Sequence, residues 1–96
     1  MWELFVEERD LENEIGQAYR IQYYILVEEA EAAGSVCCES YGIRIVVSGS
    51  GETQSESLRN VTLRAAIIDK LVHKMADHLV TPTTLRDIVE DWMAVG

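Results

Sequence analysis

Residues 18–29 constrain the fold most. Tyr19, Ile21, Tyr23, Ile25 and Val27 occupy alternate positions, with Arg20, Gln22, Tyr24, Leu26 and Glu28 between them. A period of two puts the first set on one face of a strand and the second set on the other. β-branched and aromatic side chains suit such a pleated surface. The first face is almost wholly apolar, so a second layer must cover it.

The flanking segments supply neighbours for this strand. Met1–Arg9 alternates, with Trp2, Leu4 and Val6 on one side and Glu3 and Glu7 on the other. Asp10–Gly16 is polar, ends in glycine and reads as a turn. Ala30–Gly34 is a short connection. Ser35–Ser48 is a third strand, in which Cys37, Tyr41, Ile43, Ile45 and Val47 share a phase with Glu39, and Gly42 marks a bulge. Gly49–Ser57 (GSGETQSES) reads as a mobile, linker-like loop. Leu58–Val61 is a short extended piece.

The C-terminal third changes period. Thr62 is placed as the N-cap of a helix running to about Leu79, with Leu63, Ile67, Ile68, Leu71, Val72, Met75 and Leu79 as its stripe. Pro82 opens a second helix whose oily face is Leu85, Ile88, Val89, Trp92 and Met93. The expected architecture is a single α+β domain over residues 1–96. Antiparallel strands fill 1–48, the loop fills 49–57, and the extended piece and two helices fill 58–96. This gives a three- to four-stranded meander with both helices packed on the Tyr19–Val27 face, in two layers.

Charge is unevenly distributed. The formal net charge is −9, and the acids crowd into the first third, with Glu3, Glu7, Glu8, Asp10, Glu12 and Glu14 all near the N-terminus. Such a surface repels a nucleic-acid backbone. It serves solubility or attracts a basic protein. A helix-turn-helix reading of Thr62–Met93 fails on the same ground, since the outward residues of the second helix are Arg86, Asp87, Glu90 and Asp91. No charged-then-apolar leader opens the sequence and no apolar run approaches ~18 residues, so a cytoplasmic protein with no membrane contact is expected.

No set of residues carries an evident reaction. Cys37-Cys38 are adjacent, so on a strand they point to opposite faces, and the spacing suits neither a disulfide nor a metal pair. Reduced, packed thiols are the expectation. His73 and His78 are five apart, which turns the rings away from each other on a helix. Glu39 is the one acid on an otherwise apolar face, unless a sheet edge or bulge turns it outward. No catalytic, cofactor or metal site is expected.

Two segments, ELFVEERDLEN at Glu3–Asn13 and VTPTTLRDIVEDW at Val80–Trp92, carry a resemblance, with CESYGI at Cys38–Ile43 between them. They resemble a family of small acidic proteins of unknown function from clostridia-like Gram-positive bacteria. The resemblance implies a bacterial cytoplasmic setting and brings no activity, ligand or catalytic residue.

Three functional readings follow. The first is a non-catalytic, self-associating or protein-binding module. Two helices leave one sheet face free, and Phe5, Tyr24, Leu26 and Val46 line up there as a candidate interaction surface. Scattered placement, or cover from Arg20 and Arg44 stems, is the counter-reading. The second is a small-ligand binder or enzyme with a pocket between sheet and helices, for which Glu39, Tyr41 and His73 are the candidates. The third is an acidic surface at Glu3–Glu14 that engages a basic protein.

Overall fold

A computed structural model describes residues 2–30, 38–49 and 51–95. Four strands form one antiparallel sheet in the order of the chain: β1 (Trp2–Glu12), β2 (Ala18–Ala30), β3 (Cys38–Gly49) and β4 (Glu52–Thr62). Then come α1 (Ala65–Asp77), a 3-10 turn at Pro82–Thr84 and α2 (Leu85–Val95). The fold is α+β, with two C-terminal helices on a meander. Ala30 ends β2, and the rest of the expected connection, 31–34, lies outside the described residues, as do Cys37 and the Cys38 side chain.

The sheet face that carries Ile21, Tyr23, Ile25, Val27, Ile43 and Ile45 forms the core with Ile68, Leu71, Val72 and Met75 of α1 and with Leu85 and Val89 of α2. α1 crosses β1, β2 and β3, and α2 lies against β4. The Tyr23 hydroxyl donates to the Val80 carbonyl at 2.8 Å, pinning the middle of the sheet to the link between the helices. Burial pushes this phenol up to about 12. Helix and strand lengths do not match. At ~1.5 Å per residue the 13 residues of α1 span ~20 Å. At ~3.3 Å per residue the 13 residues of β2 span ~43 Å. The ends of the sheet therefore extend beyond the helix layer.

Two irregularities set the register. In the pairing of β1 with β2, Phe5 faces Tyr24 and Glu7 faces Tyr23, so Val6 has no partner. This bulge reverses the phase of β1. Trp2 and Leu4 share the helix side with Val27 and Ile25, but beyond the bulge Glu7 and Arg9 take that side. Simple alternation places Glu7 with Glu3 on the opposite face, and the extra residue corrects that. The second irregularity lies in β4, where Arg59, Asn60 and Val61 stand opposite the single residue Gly42. Pairing of β2 with β3 runs unbroken through Gly42, so the bulge is across from the glycine rather than at it. A Cβ on Gly42 would collide with the Leu58 carbonyl oxygen.

Residues 52–57, expected as part of a linker-like loop, are instead the first half of β4. Gly49 pairs with Glu52, so the chain turns within two residues, one of them Gly51 at φ +99°. β4 then follows β3 along its length. Its first six side chains are all exposed, so it has no apolar period to read there and backbone pairing holds it, while Leu58 and Val61 pack against the core. A polar outer strand also protects this edge from association.

The helix ends are corrected too. Thr62 does not cap α1. Its Oγ1 accepts a hydrogen bond from the Arg64 amide at 3.2 Å, a local turn that delays the helix to Ala65. Leu63 therefore precedes the helix and is 60% exposed. Leu79 follows it, at φ +54°, as the left-handed residue of a C-cap in which Val80 N–H donates to Met75 O at 3.0 Å. Neither leucine belongs to the buried stripe.

The close approach at Gly42 gives a direct test. Gly42→Ala forces backbone apart where β4 crosses it, and we expect a loss of about 1–3 kcal/mol in chemical denaturation. Gly16, where a Cβ meets nothing within 4 Å, is the comparison site for strain from positive φ alone. An unchanged midpoint for Gly42→Ala contradicts the packing described.

Candidate interaction surface

The sheet face away from the helices carries the predicted interaction residues, and the structure separates them. Phe5 and Tyr24 are cross-strand partners whose rings meet edge to face, with centroids 5.7 Å apart. Phe5 is 55% exposed and Val46 is half-buried. Leu26 is 2% exposed. Its cover follows from the register. Glu3 on β1 stands beside Leu26, and Arg44 on β3 stands beside Tyr24. The Arg44 Nη1 to Glu3 Oε1 bridge, 2.6 Å long, therefore passes over β2 between them. Leu26 is a floor for this surface, and Phe5 is its most accessible apolar side chain.

The remainder of that face is a lattice of ion pairs. Arg20 Nε lies 2.8 Å from Asp10 and 3.6 Å from Glu8. Arg59 grips Glu28 through Nε at 3.0 Å and through Nη2. That guanidinium holds the Glu28 carboxyl below the usual carboxylate range. Exposed pairs of this kind stabilise weakly, at ~0–1 kcal/mol each, but they keep Glu3, Glu8, Asp10 and Glu28 occupied within the chain.

β1 is also an outer strand, with no strand on its far side among the described residues. Its first half is apolar on both faces. Trp2 is 50% exposed and Leu4 48%, both on the helix side, with Phe5 on the back. Sequence reasoning found Phe5 but not Trp2 and Leu4, because their phase matched that of the core. What exposes them is their place on an outer strand, since their cross-strand partners Val27 and Ile25 at the same level are buried. They line an open hollow of about 520 Å³ whose floor includes Ile25, Val27 and Ile68.

The candidate pocket residues are partly brought together. Glu39 and Tyr41 line that hollow, and His73 does not. His73 lies further along α1, with Nδ1 2.5 Å from Glu7 and Nε2 3.4 Å from Asp69. Arg9 joins the cluster, 2.9 Å from Glu7 and 3.4 Å from Asp77. This network ties the second half of β1 to α1, and the bulge at Val6 makes it possible. His78 is elsewhere, edge-on to Trp92 at 5.7 Å, and Lys74 Nζ lies 4.2 Å from the centre of that indole ring. No cluster of three or more metal-ligating side chains occurs among the described residues. No helix among them is long and apolar enough to cross a membrane.

The network predicts a pH window. Hydrogen bonding to Glu7, aided by Asp69, raises His73 above its ordinary 6.5. His73 and Arg9 lower Glu7 below its ordinary 4.5. A raised histidine contributes stability that is complete below 6.5 and lost as pH rises through its folded value. A lowered carboxyl contributes stability present above 4.5 and lost as pH falls through its folded value. The optimum for this pair thus lies between 4.5 and 6.5. His73 is half exposed, so the contribution stays under about 1 kcal/mol. Thermal melts should show a midpoint that declines from weakly acidic to alkaline pH in the wild type and less steeply in His73→Gln. Identical slopes contradict the assignment.

No curated protein matches the chain, and no solved structure does. A model of one family matches residues 2–95, nearly the whole of it. The chain therefore belongs to the Family of unknown function (DUF6514).

Proposed function

We propose that this chain is a non-catalytic interaction module whose partner-binding element is the first half of β1. The partner is a protein, either another copy or a different one. It adds an extended segment at the β1 edge and contacts Phe5, Tyr24 and Val46 on the back of the sheet, over Leu26. The observation that carries this reading is the grouping of Trp2, Leu4 and Phe5, each about half exposed, on an outer strand. Large apolar side chains on an open edge are the usual basis for strand addition. A bacterial cytoplasmic setting, implied by the resemblance of the motifs, fits such a module.

An enzyme or small-ligand reading has less support. The one phenol with a large shift, Tyr23, is sealed in the core and bonded to Val80 O, out of reach of a substrate. Glu39 and Tyr41 share a hollow, but His73 is bound to Glu7 outside it.

Light scattering up to about 1 mM protein, combined with capture of partners from the native cell, tests the proposal. The wild type should self-associate or retain a specific protein. Leu4→Lys and Phe5→Lys should each weaken that association at least ~10-fold while leaving the melting midpoint nearly unchanged, since both side chains are already exposed. A strict monomer that retains nothing contradicts the proposal, as does association indifferent to both substitutions.

A further inference from the structure

We infer that the hollow between the start of β1 and the start of α1 receives a basic side chain from an extended segment of a different, basic protein lying along β1. This rests on the edge-binding reading above and specifies the partner's chemistry. In an added strand every second side chain points to the helix side of the sheet. On that side the first half of β1 presents Trp2 and Leu4, and both line the hollow. A helix-side residue of the added strand therefore arrives at its mouth.

The lining selects the kind of side chain. Ile25, Val27 and Ile68 make an apolar floor, with the Trp2 and Tyr41 rings beside it. Glu39 and Asp69 are its charged members, and no basic residue among the described ones lines it. Lysine and arginine match both parts, with an aliphatic stem for the floor and a cation for the carboxylates and ring faces. The sheet end supports the same choice. Glu39 stands directly opposite Glu29 across β2 and β3, and both are exposed. Like charges in facing positions repel. Asp69 has a contact at 3.4 Å with His73, but neither Glu29 nor Glu39 is bridged to a base among the described residues. An arriving cation would relieve that repulsion.

A second copy of this chain fits poorly as the occupant. The basic residues of its strands are already committed: Arg9 to Glu7 and Asp77, Arg20 to Asp10, Arg44 to Glu3 and Arg59 to Glu28. The formal net charge of −9 further favours a basic partner and speeds its encounter.

Calorimetry with two short soluble peptides tests the inference. Both alternate valine and threonine. One has lysine at its central position, and the other has norleucine there. At ~0.15 M salt the lysine peptide should bind the wild type at least ~10-fold more tightly than the norleucine peptide. That preference should vanish in the double variant Glu39→Gln/Asp69→Asn. It should persist in Glu12→Gln/Glu14→Gln, which removes the same charge at the β1–β2 turn. Absence of any lysine preference, equal loss in the two double variants, or no binding of the lysine peptide at about 1 mM would each overturn the inference. Equal binding of both peptides that Leu4→Lys abolishes would overturn it while leaving the edge-binding reading intact.

Discussion

The unpaired residue Val6 is the constraint on which the rest of the molecule depends. A one-residue slip moves every later side chain of a strand to the other face. Here the slip turns Glu7 and Arg9 toward α1, where His73 and Asp77 meet them. The second half of β1 is thereby tied to the helix layer. The first half keeps the original phase and points Trp2 and Leu4 into the open hollow beside the start of α1. Attachment and exposure are two results of one insertion. The ion pairs themselves are partly or fully exposed and contribute little stability, so their role is to fix register and orientation. Stability comes from the apolar layer around Tyr23, Ile43, Ile45, Val72 and Leu85, all buried.

The two faces of the sheet solve different problems. The helix side buries a continuous core but is too long for the helices that cover it. The other side has no covering layer and instead pairs arginines with acids along neighbouring strands. That arrangement seals Leu26 beneath a cross-strand bridge and leaves the Phe5–Tyr24 pair as the accessible apolar spot. It also separates the two outer strands by character. β4 begins with six exposed, polar residues, while the first four residues of β1 include three half-exposed apolar ones. Association through β1 is favoured over association through β4 for that reason.

Much of this was readable wherever one face of an element is mostly buried. β2 and α2 are of this kind, and their periods alone placed and oriented them, although Met93, expected on the oily face of α2, is 38% exposed. The misreadings have physical causes. The first half of β4 is wholly exposed, so its Ser, Thr and Glu residues read as a linker, and only pairing with β3 makes them a strand. Val6 is apolar and continues the alternation of Trp2 and Leu4, which hides the bulge. Leu63 and Leu79 fit helical spacing, but a side-chain turn at Thr62 and a left-handed residue at Leu79 leave both outside the helix. The Glu7–His73 contact and the cover over Leu26 join distant parts of the chain, and no local pattern encodes them.

Solvent access along β1 tests the central claim most directly. A soluble paramagnetic agent broadens methyl signals in proportion to their exposure, residue by residue. In dilute, monomeric protein the Leu4 methyls should broaden strongly, while those of Leu26, Ile43 and Val72 stay sharp. Sharp Leu4 methyls in the monomer would show that the first half of β1 is covered, and the account built on its exposure would be wrong.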